Sequence, residues 1–377
     1  MTNALADPAP AKRTSLRERF LRWRNRTIAS ADFQSWAISN PLTRRIARRD
    51  AARVYDLVSG FVYSQTLLAC VQLDLFSRIG EGTAEIGQLA RSTDIPPERM
   101  ERLCQAAAAL DLLERAGTRR YRLGRLGAAI CGVPGLDDMI RHHAMFYRDI
   151  ADPVALMRGE TAPELAQFWP YVFGQSGVTD QSVAQTYSGL MTSSQTLVSE
   201  ETLRAIDLSG VQRLLDVGGG TGAFLKAVGQ SWPGVERHLF DLPHVVATVG
   251  DPDLTVHSGS FRDDPLPRGH DACSLIRVLY DHDDDTVRAL LAQCHDALPP
   301  GGRILVSEPM AGGEHPNKAG DAYFGFYTLA MTTGRPRSAA RHSELLAEAG
   351  FASIEILRTA RPFITGVITA RRPKASI

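Results

Sequence analysis

The sequence predicts two folded parts, a helical N-terminal region with a winged-helix unit and a Rossmann-like α/β domain with a seven-stranded, mostly parallel sheet. Three observations lead to this fold class. The 377 residues are 44% hydrophobic, with 42 basic and 42 acidic residues, which excludes a disordered chain. A helix, turn, helix and ribbon pattern precedes residue 135. After Gly210, short apolar strands alternate with helices, as in a parallel sheet covered by helices.

The first predicted element is a basic arm over residues 1–50. Between Lys12 and Arg53, twelve basic residues stand against three acidic ones, a net charge of +9, so the rest of the chain carries −9. Leu16, Phe20 and Trp23 recur at helical spacing among the arginines. Such a helix either lies on an anionic membrane surface or docks on its own protein or a subunit partner, and the sequence leaves both open.

Residues 51–135 form the predicted winged-helix unit, which starts with a long and largely buried helix from Arg53 to Ile79. The second helix of the helix-turn-helix carries acidic residues and the run from Ala106 to Ala109, instead of the Arg, Lys or Asn side chains that read bases. This composition favours a dimerisation role, so we expect a homodimer and no nucleic-acid partner. A regulator that binds DNA is the alternative.

Residues 136–207 are predicted as a helical cap, whose mixture of aromatic and polar residues suits an apolar pocket, and residues 208–372 as the α/β domain. Five cysteines without a CxxC pair indicate a reduced, cytoplasmic protein without a zinc site. The acidic run from Asp281 to Asp285 precedes a predicted helix at Thr286, where acids favour the positive helix end, so we expect no metal. No secretory signal or membrane-spanning apolar run was found, which predicts a soluble or peripheral protein.

The strongest chemical signal is a glycine-rich loop after an apolar strand, at the sheet edge where α/β folds bind ligands. Gly218, Gly220 and the later Asp241 also satisfy a loose dinucleotide fingerprint, so an NAD-dependent oxidoreductase is a rival. Asp216 discriminates between the two. A carboxylate two residues before the first glycine is unfavourable beside a pyrophosphate and favourable beside a sulfonium and an amino group. The pattern therefore favours S-adenosylmethionine, with Asp241 accepting both ribose hydroxyls.

Six ordered motifs resemble the class I small-molecule O-methyltransferases, which have a winged-helix dimerisation domain before a Rossmann-like catalytic domain. The resemblance covers about residues 53–370 and implies S-adenosylmethionine as methyl donor, with Ser260, Phe261 and Arg277 added to the cofactor site. The motifs are the glycine loop, Phe240-Asp241-Leu242-Pro243, the segment from Gly259 to Pro267, Leu279-Tyr280-Asp281, Leu298-x-Pro300-Gly301-Gly302 and the segment from Leu345 to Phe351.

Within this family the chain is similar to the carotenoid O-methyltransferases of purple bacteria, which act on hydroxyneurosporene or demethylspheroidene. The shared features are the arm rich in Arg and Trp, the segment from Phe61 to Gln65 and the segment from Arg277 to His282. This likeness implies a long polyene substrate with a tertiary C1-hydroxyl, in spheroidene biosynthesis, and peripheral contact with the inner photosynthetic membrane. A phenolic or quinone-type acceptor is the alternative.

The sequence departs from the family pattern at the expected catalytic base. The resemblance implies His-Asp-Trp after the fourth strand, and here the segment reads Tyr280-Asp281-His282. One of two Glu residues that orient the usual His is replaced by Pro336, whereas the other is present as Glu308. Tyrosine is a poor base, so we expect direct displacement with late proton loss. The proton would leave through Tyr280 to His282 or Glu308, or to one of the cap histidines, His142 and His143.

Overall fold

A computed structural model describes residues 15–168 and 195–374 of the chain. The chain folds as two compact units. The first ends at Ala69 and the second begins at Cys70. The first unit contains helix α1, which begins after a capping box in which Ser15 and Glu18 bond each other's backbone amides. The helices of this region are α1 (Leu16–Ile28), α2 (Ala31–Ser39) and α3 (Arg44–Gln72).

Helix α3 differs from the sequence prediction in two ways. It continues through the predicted boundary at residue 50, since no proline interrupts residues 44–72. Its apolar side chains near residue 57 are exposed instead of buried, with Leu57 82% accessible. Periodicity identifies an apolar helix face without showing whether core or a second subunit covers it. The exposed members of the face are Val54, Leu57, Val58, Phe61 and Val62.

Within the described ranges, α3 is also the one helix whose length and composition would allow it to cross a bilayer. Polar and charged residues interrupt its apolar run, which is why the sequence did not predict it as a possible span. Core helices of soluble proteins meet the same criterion, so the finding concerns length and composition alone.

The predicted winged-helix unit is present. Ile86, Met100 and Cys104, on its two central helices, are fully buried. The three short strands form an antiparallel sheet in the order β1, β3, β2. The elements are α4 (Leu75–Ile79), β1 (Ala84–Glu85), α5 (Ile86–Thr93), α6 (Pro97–Ala109), β2 (Leu113–Arg115), β3 (Arg120–Leu123) and α7 (Arg125–Cys131).

Helices also make up the described part of the predicted cap. Residues 169–194 of that cap, including Tyr187 and Met191, lie outside the described residues. The elements are α8 (Leu136–Asp149), α9 (Pro153–Arg158), α10 (Glu164–Phe168) and α11 (195–205). Asp149, at the end of α8, caps the start of α10, because its carboxylate accepts hydrogen bonds from the backbone amides of Glu164 and Leu165.

The α/β domain contains the predicted seven-stranded sheet, in the order β6, β5, β4, β7, β8, β10, β9. The first five of these are mutually parallel, and β10 runs antiparallel to β8 and to β9. The strands are β4 (Arg213–Val217), β5 (Glu236–Asp241), β6 (Leu254–Ser258), β7 (Ala272–Ile276), β8 (Arg303–Glu308), β9 (Ala352–Leu357) and β10 (Gly366–Arg371). The helices are α12 (Ala223–Ser231), α13 (Pro243–Val246), α14 (Asp284–Ala297), α15 (Gly325–Ala330) and α16 (Ala339–Glu348).

The strand order positions the candidate site. After β4 the chain builds β5 and β6 on one side, then crosses over to place β7 on the other side of β4. Ligands of open α/β sheets bind at such a switch, outside the carboxyl ends of the strands. The glycine loop follows β4 there, and the segment with Tyr280 follows β7.

Candidate active site

The glycine loop between β4 and α12 leaves room for a ligand. Gly218 has a φ of +70° and lies so close to Val278 that a Cβ atom would approach its side chain to 2.9 Å. Gly220 has a φ of +60°, and the place of its missing side chain is open space. Both positions favour glycine because their backbone lies in the left-handed region. At Gly218 the absence of a side chain is also needed, because Val278 is so close. The loop backbone can therefore approach a ligand closely, as predicted.

Asp216 is fully buried below this loop. Its Oδ1 accepts a hydrogen bond from the Ser274 hydroxyl at 2.6 Å, whereas its Oδ2 is buried without a hydrogen-bond partner in the described part of the chain. Burial and, to a smaller extent, the charge of Asp241 raise the pKa of Asp216 to about 7, although the hydrogen bond from Ser274 opposes this shift. Sequence reasoning missed Ser274, because a serine within an apolar strand carries no distinctive signal.

Asp241 ends β5 and faces the same loop. Its Oδ2 accepts a hydrogen bond from the Gly220 amide at 2.8 Å, and its Oδ1 accepts one from the Leu242 amide at 2.7 Å. Each oxygen keeps further acceptor capacity, as binding two ribose hydroxyls requires. Burial raises the pKa of Asp241 despite these two bonds.

The two aspartates fit S-adenosylmethionine as a ligand. Neither carboxylate forms a salt bridge with any residue in 15–168 or 195–374. A ligand with a sulfonium and an ammonium group would supply the missing positive charge, and its N–H groups suit the unpartnered Oδ2 of Asp216. A pyrophosphate would add negative charge beside two carboxylates. The electrostatics therefore favour the sulfonium cofactor over a dinucleotide.

Ser260 and Phe261 lie in the turn that follows β6. The Ser260 hydroxyl donates to the Asp263 carboxylate at 3.0 Å, while the Ser260 amide donates to Asp264 at 2.9 Å. Phe261 packs against the ring of His282, with centroids 5.3 Å apart. The structure thus places both predicted cofactor residues on a turn fixed by two acidic side chains, at the carboxyl edge of the sheet.

Glu308, at the end of β8, holds the segment that follows β7. Its Oε1 accepts hydrogen bonds from the amides of Val278 and Leu279 at 2.9 and 2.7 Å, and its Oε2 accepts one from the Tyr280 amide at 3.3 Å. Burial raises the pKa of Glu308 to about 7. Because backbone amides bond to both oxygens, the carboxylate supports the backbone of the segment that carries Tyr280.

Arg337 fixes the same segment from the other side, and sequence reasoning did not select it. It is almost completely buried, and its guanidinium donates to the carbonyl oxygens of Leu279 and His282 and to the Asp284 carboxylate. Asp283 caps α14 through the Thr286 amide. The acidic run therefore serves the helix start and an arginine, as its position before a helix predicted. The signal available in the sequence was an arginine directly after Pro336, in the altered family motif.

Tyr280 is buried and its ring packs edge-on against Phe324 at 5.8 Å. Burial raises the pKa of its phenol well above the usual value near 10, and the neighbouring Asp281 adds to this effect. The side chain therefore stays protonated at neutral pH. It can orient a substrate hydroxyl through its own O–H group, and it cannot deprotonate one.

His282, the second predicted proton acceptor, lies on the Phe261 side. Its Nδ1 is 3.1 Å from the Arg262 guanidinium, which can only donate, so this nitrogen is the hydrogen-bond acceptor. Burial and Arg262 lower the pKa of His282 to about 4. With its pKa lowered in this way, the imidazole is neutral at pH 7 and accepts a hydrogen bond from Arg262. This environment favours a structural role for His282, beside the predicted cofactor residue Phe261, over a role as general base.

Arg277 links the end of β7 to the aromatic side chains above it. Its backbone has a φ of +59°, which is uncommon for a residue with a side chain. Its guanidinium donates to the Ile364 carbonyl at 2.5 Å and lies 4.9 Å from the centre of the Phe324 ring. The structure places this predicted cofactor residue beside Phe324 and Tyr280.

Two histidine–tyrosine pairs join the cap to α15 and to the segment before it. His142 Nε2 is 2.9 Å from the Tyr327 hydroxyl, and His143 Nε2 is 2.6 Å from the Tyr323 hydroxyl. Burial lowers the pKa of both histidines, that of His142 to about 4. Tyr323 also contacts Phe324, which packs on Tyr280. An aromatic surface with two neutral imidazoles therefore continues from the predicted catalytic position.

Fold and site together define a class I S-adenosylmethionine-dependent O-methyltransferase. The O-methyltransferase domain model matches residues 147–352, and the O-methyltransferase dimerisation domain matches residues 55–131. The chain belongs to this family, and its dimerisation domain supports a homodimer.

The chain is 52% identical to the demethylspheroidene O-methyltransferase of Cereibacter sphaeroides, over 92% of this chain and 94% of that protein. It is 49% identical to the enzyme of the same name from Rhodobacter capsulatus, over 88% and 85% of the two chains. In fold it is similar to human N-acetylserotonin methyltransferase in complex with S-adenosylmethionine, with a TM-score of 0.73, 23% identity and coverage of 86% and 98%.

We expect Tyr280→Phe to lower kcat roughly 10- to 100-fold while leaving the affinity for S-adenosylhomocysteine unchanged, because only the orienting hydroxyl is lost. Tyr55→Phe, at an exposed tyrosine of α3, is the matched control. Steady-state methyl transfer and calorimetric titration measure the two quantities. Unchanged turnover in Tyr280→Phe would show that the phenol has no catalytic role.

Proposed function

We propose that the enzyme methylates the tertiary C1-hydroxyl of an acyclic carotenoid in spheroidene biosynthesis. The observation that carries this proposal is the likeness to two demethylspheroidene O-methyltransferases along nearly the full length of both chains. The relative from Streptomyces sahachiroi that is named for a naphthoate substrate is more distant, at 32% identity.

The chemistry around Tyr280 supports an alcohol acceptor. A tertiary alcohol is much less acidic than a phenol, so a strong base before attack would gain little. None of the three predicted catalytic side chains provides one, because Tyr280 stays protonated, His282 is engaged by Arg262 and Glu308 binds backbone amides. In-line attack by the neutral hydroxyl needs positioning and a dry site more than a base.

Loss of the proton comes late in this mechanism. The substrate oxygen forms a bond to the methyl carbon as the bond from that carbon to sulfur breaks, and the oxygen then carries a positive charge and a strongly acidic proton. An imidazole whose pKa is about 4, such as that of His142, can accept such a proton and release it at neutral pH. We assign this acceptor role to the pairs of His142 with Tyr327 and His143 with Tyr323.

A competition assay tests the substrate proposal. Enzyme and methyl-labelled S-adenosylmethionine are incubated with detergent-solubilised 1-hydroxycarotenoid, a hydroxynaphthoate and a reduced quinone, with the carotenoid lacking the hydroxyl as a blank. We expect the 1-hydroxycarotenoid to have the highest kcat/KM and its product to be the C1 methyl ether. A higher kcat/KM for either aromatic acceptor would overturn the carotenoid assignment while leaving the methyltransferase family unaffected.

We also propose that the N-terminal arm holds the enzyme against an anionic membrane. Trp23 and Trp36 are 62% and 52% accessible, and each packs beside a phenylalanine, at 5.7 Å from Phe20 and 5.6 Å from Phe33. Exposed aromatic pairs among arginines suit the interface between headgroups and acyl chains. A polyene substrate is found in that phase. The enzyme would then be cytoplasmic and peripheral on the inner membrane.

Vesicle flotation tests the role of the arm. We expect Trp23→Ser combined with Trp36→Ser to reduce binding to anionic vesicles several-fold at low salt and to preserve activity on detergent-solubilised substrate. Phe363→Ser removes an equally exposed ring from the second unit and serves as the matched control. Unchanged vesicle binding in the double variant would contradict the proposal, and a change in subunit mass would assign the arm to the dimer.

A further inference from the structure

Three histidines converge at the β6 edge of the α/β sheet, in a place that the methyl-transfer site does not use. His238 lies in the middle of β5, His257 in β6 and His270 in the loop that enters β7. One side-chain ligand atom from each lies within 4.8 Å of the other two. They are 19 and 13 residues apart in the sequence, a spacing without a motif, which is why the sequence predicted no metal.

The rings contact one another directly. Nδ1 of His238 is 3.1 Å from Nε2 of His257, close to the separation of two nitrogens bound to one tetrahedral ion. The ring of His270 meets that of His238 edge-on, with centroids 4.5 Å apart. Three adjacent imidazoles repel additional protons, so the cluster presents neutral nitrogen ligands. Neutral imidazole is the form that binds divalent transition metals.

A backbone oxygen orients one of the rings for this purpose. The Pro267 carbonyl lies 3.2 Å from His270 Nδ1, which places the ring proton there and leaves Nε2 with its lone pair. The Glu236 carboxylate lies 3.9 Å from His238 Nε2, too far for a hydrogen bond, and it accepts one from the Arg213 guanidinium at 2.9 Å instead. Histidine ligands of metals usually direct their second nitrogen toward a carbonyl or carboxylate, as His270 does.

We propose that His238, His257 and His270 bind one Zn²⁺ ion, with water in the fourth position. The ion would join β5, β6 and the loop before β7. These are the strands that end at Asp241 and lead into Ser260 and Phe261, so the ion would stabilise the support of the cofactor site without touching the reacting groups. His238 has 15% of its side chain accessible, which gives an ion a route of entry.

Metal titration of untagged, EDTA-treated protein tests the site. We expect one equivalent of Zn²⁺ to bind and to raise Tm, and Co²⁺ to give the visible absorption of a tetrahedral nitrogen site. Replacing one ligand, as in His257→Gln or His270→Gln, should weaken Zn²⁺ binding roughly tenfold or more. His315→Gln, at an exposed histidine, is the matched control and should bind as the parent does.

Affinity for S-adenosylhomocysteine verifies that each variant is folded, since none of these histidines is placed in the cofactor site. Stoichiometric binding that is lost in the cluster variants and kept in His315→Gln would establish the site. Absence of stoichiometric Zn²⁺ binding by the parent protein, or equal binding by folded cluster variants, would overturn the proposal.

Discussion

The burial of negative charge at the carboxyl edge of the sheet is the constraint on which the site depends. Asp216 and Glu308 are fully buried, and the pKa of each is raised to about 7. Glu308 is compensated by three backbone amides, and it thereby fixes the turn that carries Tyr280. Among the described residues, no cation pairs with Asp216 or Asp241. The Oδ2 of Asp216 has no hydrogen-bond donor there, and Asp241 accepts two backbone hydrogen bonds. A positively charged ligand supplies what these two aspartates need.

Burial in the same low-polarity surroundings also determines the protonation states of the side chains near the acceptor position. Burial keeps Tyr280 protonated and His142 and His282 neutral, so no strong base faces the acceptor position. This arrangement suits a weakly acidic alcohol whose proton becomes mobile only after the new bond forms. If the acceptor is the proposed tertiary alcohol, its low acidity and the unusual tyrosine have a common physical explanation in the burial of the site.

Much of this could be predicted from the sequence. The strand pattern and the glycine loop determine which residues reach the carboxyl edge, so the positions of Asp216, Asp241 and Tyr280 at this edge are predictable from the sequence. The contacts of buried groups could not be predicted. The three-amide cap on Glu308, the Arg337 contacts and the convergence of His238, His257 and His270 bring together distant residues without a local pattern. The exposed face of α3 was misjudged because periodicity does not distinguish core from subunit interface.

Proton release on cofactor binding tests the central claim most directly. Calorimetric titration of S-adenosylmethionine in two buffers of different ionisation enthalpy counts the protons. Because Asp216 has a raised pKa, it is partly protonated near pH 7 and must ionise beside the sulfonium. We predict proton release near pH 7, a Kd that falls about tenfold between pH 6 and pH 8, and loss of both effects in Asp216→Asn. A Kd independent of pH, without proton release, would contradict the account.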